Sequence, residues 1–234
     1  MKGLQLDLLS DKLMIINNFS IKEMPIVLTE LTIPQSYYHL IENAVNYCNK
    51  LDELGYKYTH QLFDIQINLN KMEELCQKTS IPFTYLQSLT KLLAFNQYKP
   101  FPIKKIESLS KEEIDKFLNK GYKKTDQILL IGKTKEDRKK LAEEVGVSVD
   151  CVTKLVKMAD LMRLPGVKYI RANLYYEAGL DYVQKFIGLD LDKTREYLTA
   201  FVKDTQIAKM APLKKELATH ITWSQIYPIQ VEFE

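Results

Sequence analysis

The feature of this sequence that most constrains its fold is an internal repeat. When the chain is shifted by 66 residues, residues 55–95 align with residues 121–161 without a gap. Nine of these 41 positions are identical, where unrelated sequences of average composition would share roughly two or three. A third, partial copy follows, because residues 117–122 match residues 175–180. The chain is therefore predicted to hold about two and a half copies of one unit, which makes a scaffold more readily than a catalytic pocket.

Capping residues indicate that this unit is helical. Ser110 and Glu113 fit a capping box, in which the serine accepts an orphan backbone amide and the glutamate reaches back. Thr134 and Ser148 are predicted to begin two further helices, and Gly146 between them suits a left-handed helix end. Three more helices are predicted over residues 167–178, 192–202 and 212–222.

The two ends of the chain have a different pattern. Residues 14–21 and 26–33 are rich in β-branched side chains, and residues 227–234 alternate between apolar and polar. Both patterns are typical of β-strands. Short strands are therefore predicted at both ends, paired with each other or with another chain.

Part of the sequence resembles a bacterial family of unknown function that is built from tandem helix-hairpin-helix units. The residues that carry the resemblance are 135–148, 155–167 and 175–183. The most specific phrase is Ala-Asp-Leu-Met-Arg-Leu-Pro-Gly-Val at residues 159–167. The resemblance covers about residues 100–205, and reaches residues 35–100 only through the internal repeat. It implies a compact all-helical domain, with no established reaction.

The repeat, the caps and this resemblance together predict the fold class. We expect a mainly α protein with tandem helix-hairpin-helix-like helical repeats and short β-strands at the N- and C-terminal ends. The predicted segments are a β-rich extension (1–34), a degenerate first repeat unit (35–100), a second repeat unit with the helix-hairpin-helix (101–210), and a C-terminal helix and strand (211–234).

One hairpin loop is a candidate phosphate site. Helix-hairpin-helix modules resemble one another in an apolar-Pro-Gly-apolar-Gly loop, whose amides at a helix start can bind a phosphate. Residues 164–168 supply the first glycine as Gly166 but have Lys168 in place of the second. The loop is therefore either a structural hairpin or a nucleic-acid contact within residues 164–171. The candidate contact residues are Arg163, Gly166, Val167, Lys168, Tyr169 and Arg171.

Charge gives this interpretation little general support. The net charge is only +3, so nucleic-acid binding would need a local patch. Basic pairs such as Lys104-Lys105 stand among acidic residues, which is typical of a solvated helix face. If several basic clusters converged in the fold, they could follow a phosphate backbone.

A second set of candidates is aromatic. Tyr37, Tyr38, Trp223 and Tyr227 could be exposed anchors for a protein partner, because aromatic residues are frequent at the energetic centres of interfaces. We therefore expect a protein partner or self-association, through the repeat surface, these aromatic residues or the end strands.

Enzyme chemistry has little support in the sequence. His39, His60 and His220 are isolated, and no metal-binding spacing or glycine-rich phosphate loop occurs. We therefore expect no catalytic residues, no metal, no cofactor and no small-molecule substrate. The predicted function is a non-catalytic protein–protein interaction or assembly module, and the alternative is sequence-nonspecific nucleic-acid binding through the hairpin.

The expected location is the cytoplasm. Three widely spaced cysteines suit a reducing compartment. No apolar run approaches the roughly 20 residues of a membrane span, and the first residues lack the apolar core of a signal peptide.

Overall fold

The structure, a computed structural model, describes residues 16–31 and 33–233 and is mainly helical. Its described residues form two compact units, which we call the first unit (16–97) and the second unit (98–233). The helices of the first unit are α1 (Met24–Glu30), α2 (His39–Glu42), α3 (Ala44–Glu53), α4 (Phe63–Ile67), α5 (Leu69–Thr79) and α6 (Phe83–Phe95).

The second unit continues the helical architecture. Its helices are α7 (Lys111–Asn119), α8 (Thr125–Ile131), α9 (Lys135–Val145), α10 (Val149–Leu161), α11 (Tyr169–Glu177), α12 (Leu191–Thr205) and α13 (Lys214–Ile226). Short 3₁₀ turns lie at Gln35–Tyr37, Thr59–Leu62, Ile103–Lys105 and Val183–Phe186. None of the helices in the described ranges is both long and apolar enough to cross a membrane.

The predicted caps are present in the second unit. The Ser110 hydroxyl accepts the Glu113 amide at 3.2 Å, and the Glu113 carboxylate accepts the Ser110 amide at 2.8 Å. Thr134 begins α9 in the same way, and the Ser148 hydroxyl accepts an amide of the first turn of α10. Gly146 ends α9 with a φ of +79°, where only glycine is free of steric cost. These local signals placed α7, α9 and α10 correctly.

The predicted β-strands at the ends are wrong for the residues that the structure describes. Residues 26–33 were expected to be a strand, but Met24–Glu30 is α1. Pro25 fits the first turn of a helix because its missing amide is not needed there. Met24, Val27 and Leu28 are buried at helical spacing, so packing outweighs the β-preference of the sequence. Residues 14 and 15, in the other predicted N-terminal strand, lie outside the described residues.

The C-terminal residues also form no strand; we call residues 227–233 the C-terminal strap. Arg138 donates to the Glu232 carbonyl at 2.9 Å, and the Glu232 amide donates to the Lys133 carbonyl at 2.9 Å. The strap ends with Phe233 under the Arg138 guanidinium, 5.3 Å from the ring centre. The alternating pattern therefore belongs to a segment that α9 and the residue Lys133 before it hold through one side-chain and one backbone hydrogen bond, rather than to a sheet. The predicted residue 234 lies outside the described part.

The two units contain matching hydrogen bonds at positions that the sequence shift aligns. In the first unit, Gln61 accepts the amides of Lys57 and Tyr58 at 2.6 and 2.8 Å. In the second unit, Gln127 accepts the two corresponding amides at 2.7 and 3.0 Å. Each glutamine also donates to the carbonyl of the preceding glycine turn, at 3.4 and 3.3 Å. Identical side chains thus perform the same task in both units.

A second pair of matching bonds joins each of these turns to an earlier segment. In the first unit the Ile21 amide donates to the Lys57 carbonyl at 2.9 Å, and the segment forms an isolated bridge to Tyr58. In the second unit the Ile103 amide donates to the Lys123 carbonyl at 2.9 Å, with a bridge to Lys124. These contacts align Ile21 with Ile103, and therefore Lys22 with Lys104.

Candidate binding groove

The hairpin loop connects α10 to α11 and is held from below by a buried histidine. Gly166 is exposed with a φ of +76°, which the turn requires. The Nε2 atom of His220 lies 3.0 Å from the Pro165 carbonyl, and its Nδ1 atom lies 2.8 Å from the Tyr175 hydroxyl. Since a carbonyl can only accept, His220 carries its proton on Nε2 and accepts from Tyr175. Burial lowers the pKa of His220 to about 4, so the loop rests on a neutral imidazole.

Arg163, a candidate phosphate contact, does not reach solvent. Its side chain is fully buried and donates to the Asp160 carboxylate at 2.7 Å and to the Pro228 carbonyl at 2.6 Å. The Tyr227 ring lies 5.3 Å from its guanidinium. The expectation that Arg163 contacts a phosphate is therefore wrong, because the residue ties the end of α10 to the C-terminal strap.

Arg171 is also occupied within the unit. Its Nε and Nη2 atoms donate to the two oxygens of Glu216 at 2.8 and 3.2 Å, and its Nη1 donates to the Met210 carbonyl at 3.2 Å. This bidentate pair joins α11 to α13 and takes up the geometry that a phosphate would need. The expectation for Arg171 is therefore also corrected.

The remaining candidates of the loop divide by exposure. Val167 and Tyr169 are buried, and Tyr169 stacks on Phe101 with 6.1 Å between the ring centres. Lys168 is exposed at the position preceding α11, where no side chain caps the helix. Of the predicted basic residues, Lys168 alone points its charge toward solvent, and Gly166 offers only backbone.

Lys168 lies on the rim of a groove of about 710 Å³ in the second unit. Its floor and walls are largely apolar, with Ile106 and Leu109 buried beneath and Ile170 64% exposed at the edge. The complete lining is Phe101, Lys104, Lys105, Ile106, Glu107, Leu109, Lys111, Ile114, Lys168, Tyr169 and Ile170. We call this surface the lysine groove.

The local structure explains why four lysines meet there. Lys104 and Lys105 belong to the 3₁₀ turn Ile103–Lys105, which the bridge to Lys124 fixes. Lys111 is the first residue of α7, and Lys168 directly precedes α11. All four ammonium groups are exposed, and the described residues supply no ion pair to any of them. Both helices begin at this surface, so the positive ends of their dipoles add to its potential.

Sequence reasoning found only part of this groove. The pair Lys104-Lys105 was interpreted as a solvated face because acidic residues surround it in the sequence. In the structure only Glu107 of those acids lines the groove, so the basic excess is local. Nothing in the position of Lys111 along the sequence predicts that it shares a surface with Lys104, Lys105 and Lys168.

The aromatic candidates differ from their expected exposure. Tyr38 is 54% exposed and Tyr37 is half-buried, both beside α2 of the first unit. Trp223 and Tyr227 are buried, with 5.5 Å between their ring centres. The expectation that these two are exposed anchors is wrong, because both rings are buried, Trp223 in α13 and Tyr227 at the first position of the C-terminal strap.

Comparison with known proteins gives one result. Residues 107–223, half of the chain, match the family described as a domain of unknown function (DUF4332). The chain belongs to this family. The DUF4332 segment contains Lys111, Lys168 and Ile170, whereas Lys104 and Lys105 precede it. No curated protein and no solved structure matches the chain.

Proposed function

We propose that this protein is a non-catalytic protein–protein interaction or assembly module, that it is built on helix-hairpin-helix-like repeats, and that the lysine groove is its contact surface. The observation that carries the proposal is the composition of the groove, in which apolar side chains lie beside four lysines to which the described residues supply no ion pair. Apolar surface rimmed by charge is typical of interaction sites. The matching bonds of Gln61 and Gln127 support the repeat part of the proposal.

The family resemblance and the location belong to the same proposal. We propose a bacterial family with helix-hairpin-helix ancestry, and the ancestry is supported by the loop at 164–168, where Gly166 has a left-handed backbone. A cytoplasmic location is supported by Cys48 and Cys151, which are buried as free thiols. Burial raises the pKa of each thiol to about 12, so neither is reactive as a thiolate.

A second candidate function is sequence-nonspecific nucleic-acid binding through the same surface. It is favoured by Lys168, which lies at the start of α11 beside three further lysines. The internal pairing of Arg163 and Arg171 weighs against it. Backbone phosphate binding would have a steep salt dependence.

A photo-crosslinking experiment tests the first candidate. A photoreactive amino acid at position 170 should give a defined adduct with one protein in an extract of the producing cells, or with a second copy of the chain. The matched control is position 187, which is also exposed in the second unit but does not line the groove. If position 170 yields no adduct beyond that of position 187, the groove is not an interaction surface.

Fluorescence anisotropy with a generic DNA duplex tests the second candidate. Binding at low salt that Lys168→Glu weakens and high salt abolishes would favour nucleic acid. Lys120→Glu is the comparison, because it reverses the charge of an exposed lysine that does not line the groove. The absence of binding at low salt would remove this candidate.

A further inference from the structure

We infer that the partner of the lysine groove is an acidic protein segment that carries large apolar side chains. This inference rests on the proposed function and gives the partner its chemistry. The groove provides two complementary features within one surface, a rim of exposed ammonium groups and an apolar floor. A partner must satisfy both.

The rim has a local excess of positive charge. Some lysines of the second unit are held by carboxylates, for example Lys154 by Glu177 at 2.9 Å and Lys214 by Asp192 at 2.6 Å, whereas the described residues give no ion pair to any of the four rim lysines. On the rim four lysines face one acid, Glu107. The whole chain has a net charge of only +3, so this surface concentrates the positive excess. Carboxylates of a partner would relieve the mutual repulsion of the lysines and speed the encounter.

The floor selects a partner with apolar side chains. Ile106 and Leu109 form its buried base, and Ile114 and Ile170 stand at its edges. A volume of about 710 Å³ accommodates several side chains and lies within the usual range of binding pockets, roughly 300–1,000 Å³. Covering Ile170, which is 64% exposed, removes apolar surface from water and favours association.

The same floor is poorly suited to nucleic acid. Bases bind non-specifically by stacking on exposed aromatic rings. The two rings here, Phe101 and Tyr169, stack on each other, and Tyr169 is only 8% exposed. The exposed apolar side chain at the edge, Ile170, is aliphatic and offers a base no ring on which to stack. The observations therefore favour a protein partner over a nucleic acid.

The test uses the full chain and three labelled peptides of about 16 residues. The first alternates glutamate with pairs of leucine, the second replaces each leucine by serine, and the third replaces each glutamate by lysine. We expect the first peptide to bind at least about tenfold more tightly than either of the others at low salt, because each of them removes one of the two complementary features. Fluorescence anisotropy measures the affinities.

Variants of the chain locate the binding. The double substitution Lys105→Glu and Lys168→Glu should weaken the first peptide about tenfold or more, and Ile170→Ser about threefold. The controls are the double substitution Lys120→Glu and Lys193→Glu, and Ile187→Ser, which make the same changes on exposed positions outside the groove. Circular dichroism confirms that each variant keeps its helices.

The outcomes separate this inference from the proposed function. Equal binding of all three peptides, or equal effects of groove and control variants, would overturn the acidic partner. If the position-170 adduct nevertheless forms, the groove is an interaction surface for a partner of other chemistry. If the duplex binds through Lys168 and the acidic peptide does not, the partner is a nucleic acid.

Discussion

Two corresponding regions of the molecule, one in each unit, share their backbone contacts but differ in the fate of their lysines. In the first unit Asp52 receives Lys57 at 2.8 Å and Lys22 at 3.4 Å. The hydrogen bond from Lys57, with that from Lys22, holds the pKa of Asp52 below its usual value. The Asp52 carboxylate therefore balances the charges of the two lysines beside the turn that Gln61 holds.

In the second unit the position aligned with Asp52 is Leu118. Lys104 and Lys123, which correspond to Lys22 and Lys57, therefore have no carboxylate at that place, and the described residues give them no ion pair. The leucine thus leaves Lys104, which lines the lysine groove, and Lys123, which does not, without this carboxylate. Matching backbone contacts therefore stand beside neutralised lysines in the first unit and, in our proposal, beside lysines that can bind a partner in the second.

The units also differ at the ends of two aligned helices, α6 in the first unit and α10 in the second. In the second unit α10 ends with the buried pair Asp160 and Arg163, and the Asp160 carboxylate also accepts the Val183 amide at 2.8 Å. The aligned positions of the first unit are Ala94 and Gln97, and Gln97 is exposed. The second unit thus has a buried ion pair, which we call the Asp160–Arg163 lock, where the first unit has an alanine and an exposed glutamine.

The largest effect is expected from opening this lock. Arg163→Met should lower the free energy of unfolding by about 3–5 kcal/mol, because Asp160 would stay buried without its counter-charge. Urea denaturation followed by circular dichroism measures the loss. The matched control is Gln97→Met at the aligned position of the first unit, where we expect a change within about 0.5 kcal/mol. Equal losses for the two variants would mean that the lock does not distinguish the units.

The second effect is the pH dependence that His220 gives to the second unit. The pKa of His220 falls from 6.5 to about 4 on folding, so the unfolded chain binds more protons between these values. Its contribution to stability is complete above pH 6.5 and is lost as the pH falls toward 4, by about 3 kcal/mol in total.

Urea denaturation at pH 7, 5.5 and 4.5 follows this loss. His220→Gln keeps a polar side chain below Pro165 but cannot titrate, so the part of the decline that His220 causes should disappear. A decline of the same size in this variant would show that other groups cause it.

How far the sequence predicts these regions depends on the range of the interactions. The sequence correctly predicts the helices that begin after Ser110, Thr134 and Ser148, because a cap and its partner lie within three residues. α1 was missed because its β-branched residues favour a strand locally, whereas distant packing and Pro25 decide for a helix. A single sequence therefore predicts interactions between neighbours in the chain, but it does not predict how distant segments pack.

The candidate site shows the same limit. Arg163 was taken for a phosphate contact, but its partner carbonyl at Pro228 is 65 residues away. Arg171 pairs with Glu216, 45 residues along the chain. The spacing of residues along the sequence predicts neither of these pairings. Lys168 was identified because its loop has a recognisable form, but its meeting with Lys104 depends on the fold.

Two corresponding threonines test whether the two units share a backbone framework. The Thr59 hydroxyl accepts the Phe19 amide at 3.1 Å, and the Thr125 hydroxyl accepts the Phe101 amide at 3.0 Å. Both threonines are buried. Replacing either by valine leaves a buried amide unpaired, which should cost about 1–3 kcal/mol of unfolding free energy in each case. Urea denaturation compares the two losses.

A framework that is shared in energy as well as in geometry requires similar losses. Thr90→Val is a suitable control, because this buried threonine donates only to carbonyls within its own helix, so a smaller loss is expected there. If Thr59→Val and Thr125→Val differ by more than about 1.5 kcal/mol, the matching bonds do not stabilise the units alike.

The smallest effect tests the acid that separates the two surfaces. Leu118→Asp puts a carboxylate at the position that Asp52 occupies in the first unit, within reach of the lysines aligned with Lys22 and Lys57. Exposed ion pairs contribute about 0.2–1 kcal/mol, so the affinity for the acidic leucine peptide should fall about two- to threefold at low salt.

Leu118→Asn is the matched control, because it makes the same change of shape without a charge. The difference between the two variants should vanish in about 0.5 M salt, where screening extends over only a few ångströms. Equal affinities of the two variants at low salt would mean that the lysines are exposed for some reason other than the missing acid, and the contrast between the units would then lie in their backbones after all.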